Sequence, residues 1–340
     1  MNYRAPWWLP GGNLQTIWAA LRGVRYLDAK PVFRRERWTT PDQDFVDVDW
    51  LVSSPCNDTK MQPLLVVFHG LEGSSSSYYA ESFADVAKSR GWACAVPHFR
   101  GCSGELNLAP RAYHSGDFAE IDWMLRRFKA MHAGPLLAVG ISLGGNALMR
   151  WAGELENSAA GVVSAITSVC SPLDLTASGK AIGAGFNRQT YTRMFLGTMV
   201  PKALQKLAQH PNLFSRTALL AARDLYAFDN IFTAPLHGFK DTEDYWRRAS
   251  AKPHMQSIAV PALALNALND PFVPAVSLPE TGNVSARVTL WQPEQGGHVG
   301  FPAATAEAWP HAHVRAMPMA VCDFLGQHLP SSARSLEIHG

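Results

Sequence analysis

The stretch Gly140-Ile141-Ser142-Leu143-Gly144-Gly145 constrains this chain more than any other, because it sets a serine among glycines between an apolar run and a helix-like segment. Pro135-Leu136-Leu137-Ala138-Val139 reads as a short buried strand, and Asn146-Ala147-Leu148-Met149-Arg150-Trp151 as the body of a helix. A serine at that junction sits on a sharp turn, the form of a nucleophile elbow. The backbone there is strained, and a side chain at Gly140 or Gly144 would collide with the neighbouring strand or helix. Gly-x-Ser-x-Gly also arises by accident, so the rest of the chain has to support the reading.

Around this point strand-like runs alternate with helix-like segments, the pattern of an α/β fold whose mostly parallel central sheet is flanked by helices. The runs are Leu64 to Phe68, Trp92 to Pro97, Leu136 to Gly140, Val162 to Val169, Ala262 to Leu268 and Arg287 to Trp291. Helical periodicity marks Ser76 to Arg90 and Phe118 to Met131, the second with Phe118, Ile121, Leu125 and Phe128 on one face. Arg35 to Thr40 and Phe45 to Leu51 alternate apolar with polar and predict an antiparallel hairpin at the sheet edge. With 340 residues, 47% of them hydrophobic, the chain can bury one large core that carries an insertion. The rhythm stops at 175–258, which predicts an inserted helical cap after the sixth strand. Residues 1–174 and 259–340 then form the core, with the N-terminal segment 1–30 packed on it. Of the insert's aromatics, Phe186, Tyr191, Phe195, Phe214, Phe228, Phe232, Phe239, Tyr245 and Trp246, most are expected to pack cap onto body and a minority to line an acyl or alkyl pocket.

A formal net charge of +2, from dispersed Lys and Arg residues, argues against nucleic acid as a partner and against a polybasic membrane patch. Cys56, Cys94, Cys102, Cys170 and Cys322 show no paired spacing, and an odd count is a poor start for a disulfide framework. A reducing, cytoplasmic setting follows. No run reaches membrane-spanning length, and Pro6, Pro10, Gly11 and Gly12 interrupt the segment where a signal peptide would need an unbroken apolar helix.

Three further features fit a serine nucleophile. His69-Gly70-Leu71-Glu72-Gly73 follows an apolar strand, where a backbone donor to a tetrahedral oxyanion comes from; the pair of donors is the N–H of Leu71 and the N–H of Leu143. Asp270 stands at the mouth of the strand Ala262 to Leu268, placed to hold an imidazole in one tautomer. Asp174 is the rival acid, although its position also suits a helix cap. Gln295-Gly296-Gly297-His298-Val299-Gly300 is a glycine-flexed loop that would bring His298 back over the sheet as general base, completing the order Ser, Asp, His. His311, His313 and His328 are assigned to the final helix region. His311 and His313 lack a third partner, so no metal site is expected, and the chemistry calls for no cofactor. Arg100 leaves two readings: a contact to a substrate carboxylate or phosphate, or a brace for the surrounding loops through backbone carbonyls and a nearby acid.

These motifs, with Pro6-Trp7-Trp8, Asn13-Leu14-Gln15-Thr16-Ile17-Trp18 and Phe99-Arg100-Gly101-Cys102-Ser103-Gly104, run over nearly the whole length. On them the chain resembles the α/β-hydrolase superfamily and, within it, the YheT-like branch. The resemblance implies an α/β-hydrolase fold and a carboxylic ester hydrolase with the triad Ser142, Asp270 and His298, acting on a small-molecule ester such as a short-chain ester or an acylglycerol. Larger relatives carry an N-terminal membrane anchor, a property not carried over here. Other readings stay open. One is an acyltransferase or thioesterase on the same triad, another a non-catalytic binding protein, and a third a lipid-surface enzyme that makes transient contact through Trp7, Trp8, Leu9 and Trp18.

Overall fold

The computed structural model describes residues 3–52, 61–304 and 311–330. Met1, Asn2, Cys56 and the last ten residues of the expected core lie outside that set. Eight strands form one sheet in the order β1-β2-β4-β3-β5-β6-β7-β8. They are β1 (Phe33–Thr39), β2 (Phe45–Leu51), β3 (Leu64–Phe68), β4 (Ala93–Pro97), β5 (Leu136–Ile141), β6 (Ala165–Val169), β7 (Ala262–Leu265) and β8 (Val288–Trp291). All pairings from β4 to β8 are parallel, and β1 and β2 add an antiparallel edge. On that edge Arg35 lies opposite Asp49 and Arg37 opposite Asp47, each pair joined by two hydrogen bonds, so charge rather than apolar surface faces outward.

Strands covered on both faces carry unbroken apolar runs. In β3, Leu64, Val66 and Phe68 enter one buried cluster and Leu65 and Val67 the other, because successive side chains point to opposite faces. Helices α3 (Phe118–Met131) and α4 (Leu143–Leu155) supply the first cluster through Ile121, Met124, Leu125, Phe128, Leu148 and Trp151. Helix α2 (Tyr78–Ser89) and the C-terminal helix Ala316–Gly326 supply the second through Phe83, Val86, Val321 and Phe324. On α3 it is Met124 that completes the buried face, while Phe118 stays part-buried at the helix start.

Several boundaries shift for local reasons. β6 begins at Ala165 rather than Val162, because a 3-10 turn at Glu156–Gly161 captures the N–H groups of Val162 and Val163 on Ala159. β7 stops at Leu265, and the chain then follows β8 through Asn266 and Leu268 toward Asp270. His313 belongs to a two-residue strand ahead of the final helix, His311 precedes it, and His328 follows that helix, so none of the three is helical. A helix the sequence pattern did not announce, α1 (Gly12–Arg22), buries Gln15, Thr16 and Ala19. Two of those three are polar, which hides the element from any apolar periodicity. Nearby, Leu9 is buried and Trp8 packs edge-on against Trp18, so of the four N-terminal apolar residues only Trp7 stands out into solvent.

Between β6 and β7 the chain is helical, from α5 (Leu175–Ile182) through the long helix Arg193–Gln209 to Thr242–Ala249. No described helix is long and apolar enough to cross a membrane. Trp151 is fully buried beneath the sheet and donates its indole N–H to Asp122 at 3.0 Å. Trp151→Ala is expected to lower the unfolding free energy by about 3–5 kcal/mol, measured by urea denaturation, because it leaves a cavity in the buried cluster.

Candidate active site

Ser142 joins β5 to α4 with φ 51 and ψ −117, a conformation L-residues avoid. The glycines around it show why the turn closes. A Cβ on Gly140 would lie 2.4 Å from the Gly145 Cα, and one on Gly144 would lie 2.6 Å from the His69 carbonyl oxygen. The Ser142 N–H bonds the Val169 carbonyl at 2.8 Å and ties the turn to β6.

The three distant sequence segments meet here. His298 Nε2 is 3.0 Å from Ser142 Oγ, and His298 Nδ1 is 2.9 and 3.1 Å from the two Asp270 carboxylate oxygens. Sandwiched against a carboxylate, Nδ1 carries the proton, which leaves Nε2 as the acceptor facing the serine hydroxyl. The Asp270 carboxylate is fully buried and also accepts from the backbone N–H of Phe272 at 2.8 Å. The Phe272 ring lies over the imidazole with centroids 4.2 Å apart.

Leu71 and Leu143 line the same cavity as Ser142 and His298. Leu143 is the first residue of α4, so its N–H leaves the helix end without an intrahelical partner. The loop carrying Leu71 runs close against the serine, since a Cβ on Gly70 would lie 3.3 Å from that of Ser142. His69 fixes this loop: its Nε2 accepts from the Phe99 N–H at 3.0 Å and its Nδ1 faces the Gly70 carbonyl at 2.8 Å. Burial, assisted by the neighbouring His98, pushes the His69 imidazole down to about 3, so it is neutral and can hold both bonds. On the other side of Leu71, Glu72 accepts a hydrogen bond from the Tyr113 hydroxyl at 2.9 Å and pairs with Lys202 at 2.8 Å. The loop is therefore tethered to the long helix between β6 and β7.

Asp174 does not reach the histidine; its carboxylate caps α5 by accepting from Ala177 N–H at 3.0 Å. Arg100 is buried and bonded to Asp42, Asp44 and Glu120, so its partners are three carboxylates and not backbone carbonyls. Burial alone would raise the Asp42 carboxyl, but hydrogen bonds from Arg100 and Thr40 bring it down to about 2. With its guanidinium committed, Arg100 acts as a brace between the β1–β2 turn and α3.

The cavity above Ser142 has a volume of about 160 Å³ and opens to solvent. Its walls come from the loops after β3 and β4 and from the helical segment 175–258. Five of that segment's nine singled-out aromatics, Phe195, Phe228, Phe232, Tyr245 and Trp246, line it, where only a minority was expected. Cys170, Asp270 and His298 bring potential metal-binding atoms within 4.8 Å of one another. Burial pushes the Cys170 thiol well up, and the imidazole and carboxylate are spent on each other, so this group is poorly suited to an ion.

The α/β-hydrolase fold model matches residues 63–304. The chain is 39% identical over 274 residues to the Escherichia coli protein "Putative esterase YheT", covering 79% of each. It is 26% identical to human "Phospholipase ABHD3", covering 81% of this chain and 69% of that one. The fold also matches the Pyrococcus furiosus esterase Pf2001 with a TM-score of 0.53 at 16% identity, over 88% of this chain and 94% of that one. This chain belongs to the α/β-hydrolase fold family, in its YheT-like branch.

The neutral state of His69 gives a pH signature. Between 6.5 and about 3 an unfolded His69 takes up a proton that the folded one refuses, so acidification across that window favours unfolding. Thermal melts are expected to show a smaller loss of stability over the window for His69→Gln than for the wild type.

Proposed function

We propose that this chain hydrolyses small carboxylic esters, short-chain or acylglycerol-like, through an acyl-enzyme formed on Ser142. His298 Nε2 accepts the serine proton as Oγ attacks the ester carbonyl, and the Asp270 carboxylate stabilises the imidazolium that results. The N–H groups of Leu71 and Leu143 donate to the carbonyl oxygen as it becomes an oxyanion. His298 then gives its proton to the departing alcohol, and water, deprotonated by the same nitrogen, releases the acid.

The observation that carries this reading is the unbroken contact from Asp270 through His298 to Ser142, at 2.9 and 3.0 Å, on the floor of a largely apolar cavity. Hydrolase activity agrees with the relatives, whose names denote an esterase and a phospholipase. The helical segment 175–258 acts as a cap on a core formed by the described residues that flank it, its aromatics receiving the acyl or alkyl group. Cys94, Cys102 and Cys170 are free thiols, which suits a reducing, cytoplasmic setting.

Ser142→Ala is expected to lower kcat on p-nitrophenyl esters by about 10⁴- to 10⁶-fold with an unchanged melting temperature. A variant that kept most of its activity would overturn the mechanism. A graded series of acyl lengths, run with and without an added alcohol acceptor, reads the pocket's capacity and separates hydrolysis from acyl transfer.

A further inference from the structure

The loop that carries His298 closes on itself through one backbone bond, from Phe301 N–H to the Gly296 carbonyl at 2.8 Å, and is otherwise held by side chains from elsewhere. Gly296, Gly297, Val299 and Phe301 all have positive φ, at 151, 62, 63 and 40. Four consecutive N–H groups in it are each taken by a side chain from elsewhere. Gly296 N–H donates to Gln15 Oε1 at 2.9 Å, Gly297 N–H to Asn269 Oδ1 at 3.0 Å, His298 N–H to Thr16 Oγ1 at 2.8 Å and Val299 N–H to Cys170 Sγ at 3.1 Å. Two of the four acceptors sit on α1, outside the segment that matches the family model.

Both α1 side chains are themselves fixed. Thr16 Oγ1 donates to the Gly12 carbonyl at 2.7 Å, which aims its lone pairs at His298 N–H. Gln15 is fully buried and gives its amide N–H to the Leu9 carbonyl at 2.8 Å. Its oxygen accepts a second bond from Asn269 Nδ2 at 3.0 Å, and Asn269 immediately precedes Asp270. One amide oxygen therefore ties the loop of the acid to the loop of the base. The fit is close enough that a Cβ on Gly12 would lie 1.8 Å from the Asn269 carbonyl oxygen, and one on Gly297 2.6 Å from that of Gly12.

We infer that Gln15 and Thr16 are positioning residues for the imidazole: through backbone N–H groups they set where His298 stands between Asp270 and Ser142. This rests on the triad reading given above. Neither residue lines the cavity above Ser142, so their loss acts on the chemical step through the geometry of His298, and binding in the cavity is left alone. A displacement of about 1 Å at reacting groups is enough to cost about 100-fold in rate.

The test compares Thr16→Val, Thr16→Ala, Thr16→Ser and Gln15→Met with the wild type, and with Leu21→Ser on the solvent side of α1 as control. Ester kinetics are read alongside the low-field proton resonance of His298 Nδ1–H, which reports the Asp270 contact directly. Thr16→Val, Thr16→Ala and Gln15→Met are expected to lower kcat by about 10- to 100-fold with KM within about twofold, and to broaden or abolish the resonance. Thr16→Ser, which keeps the hydroxyl, restores both, and Leu21→Ser leaves both unchanged. If the variants that fold keep full kcat and an intact resonance, losing only melting temperature, α1 is merely structural and the inference fails. That failure is distinct from one in the triad itself, which would show as an active Ser142→Ala enzyme.

Discussion

The site hangs from one unfavourable backbone conformation, the left-handed turn at Ser142. Such a residue costs on the order of 1–3 kcal/mol and persists only where its surroundings over-determine it. Here they do: β5 and α4 approach so closely at Gly140 and Gly145 that no side chain fits, Gly144 lies as close against the carbonyls of Phe68 and His69 at the end of β3, and the turn is pinned to β6 through the Val169 carbonyl. The gain is directional, because the hydroxyl is held above the C-terminal edge of the sheet instead of being drawn into the start of the helix. Every other group in the site is brought to that fixed point by a loop.

Those loops are stiffened by polar contacts that are local to none of them. The loop after β3 depends on a neutral, buried His69 and on the Glu72 pairings to Tyr113 and Lys202. The loop after β4 depends on Arg100, whose guanidinium neutralises three carboxylates in the wall behind the cavity. There burial and the adjacent Asp117 push the Glu120 carboxyl up, against the pull of Arg100 and Arg111. The histidine loop depends on α1. The sheet thus supplies the fixed frame and a buried polar lattice supplies the placement, a division that lets loops carry chemistry on a rigid scaffold.

How far the sequence could be read follows from how local each signal is. Ser142, Asp270 and His298 each have glycine or proline within two residues and follow a strand, and a chain-order argument picks them out without any knowledge of distance. Strands with both faces covered, such as β3 and β5, are visible as continuous apolar runs. α1 was not, since its buried face is made of Gln15 and Thr16 and its worth is a set of contacts to residues about 250 to 280 positions away. Arg100 was legible as a brace but not in its partners, because Asp42 and Asp44 reach it only after the β1–β2 hairpin has paired. The aromatics of 175–258 give no sign in the sequence of which ones wall the cavity, because a ring that lines a pocket and a ring that fills a core obey the same hydrophobic rule.

The most direct measurement is mass spectrometry of the intact, folded protein after brief exposure to a fluorophosphonate ester, which reacts with a serine hydroxyl only where a base and oxyanion donors activate it. The account predicts one adduct per chain, mapped to the peptide containing Ser142, with its rate of formation sharply reduced in His298→Ala. An unlabelled wild-type protein, or an adduct that forms elsewhere or equally fast without the imidazole, would contradict it.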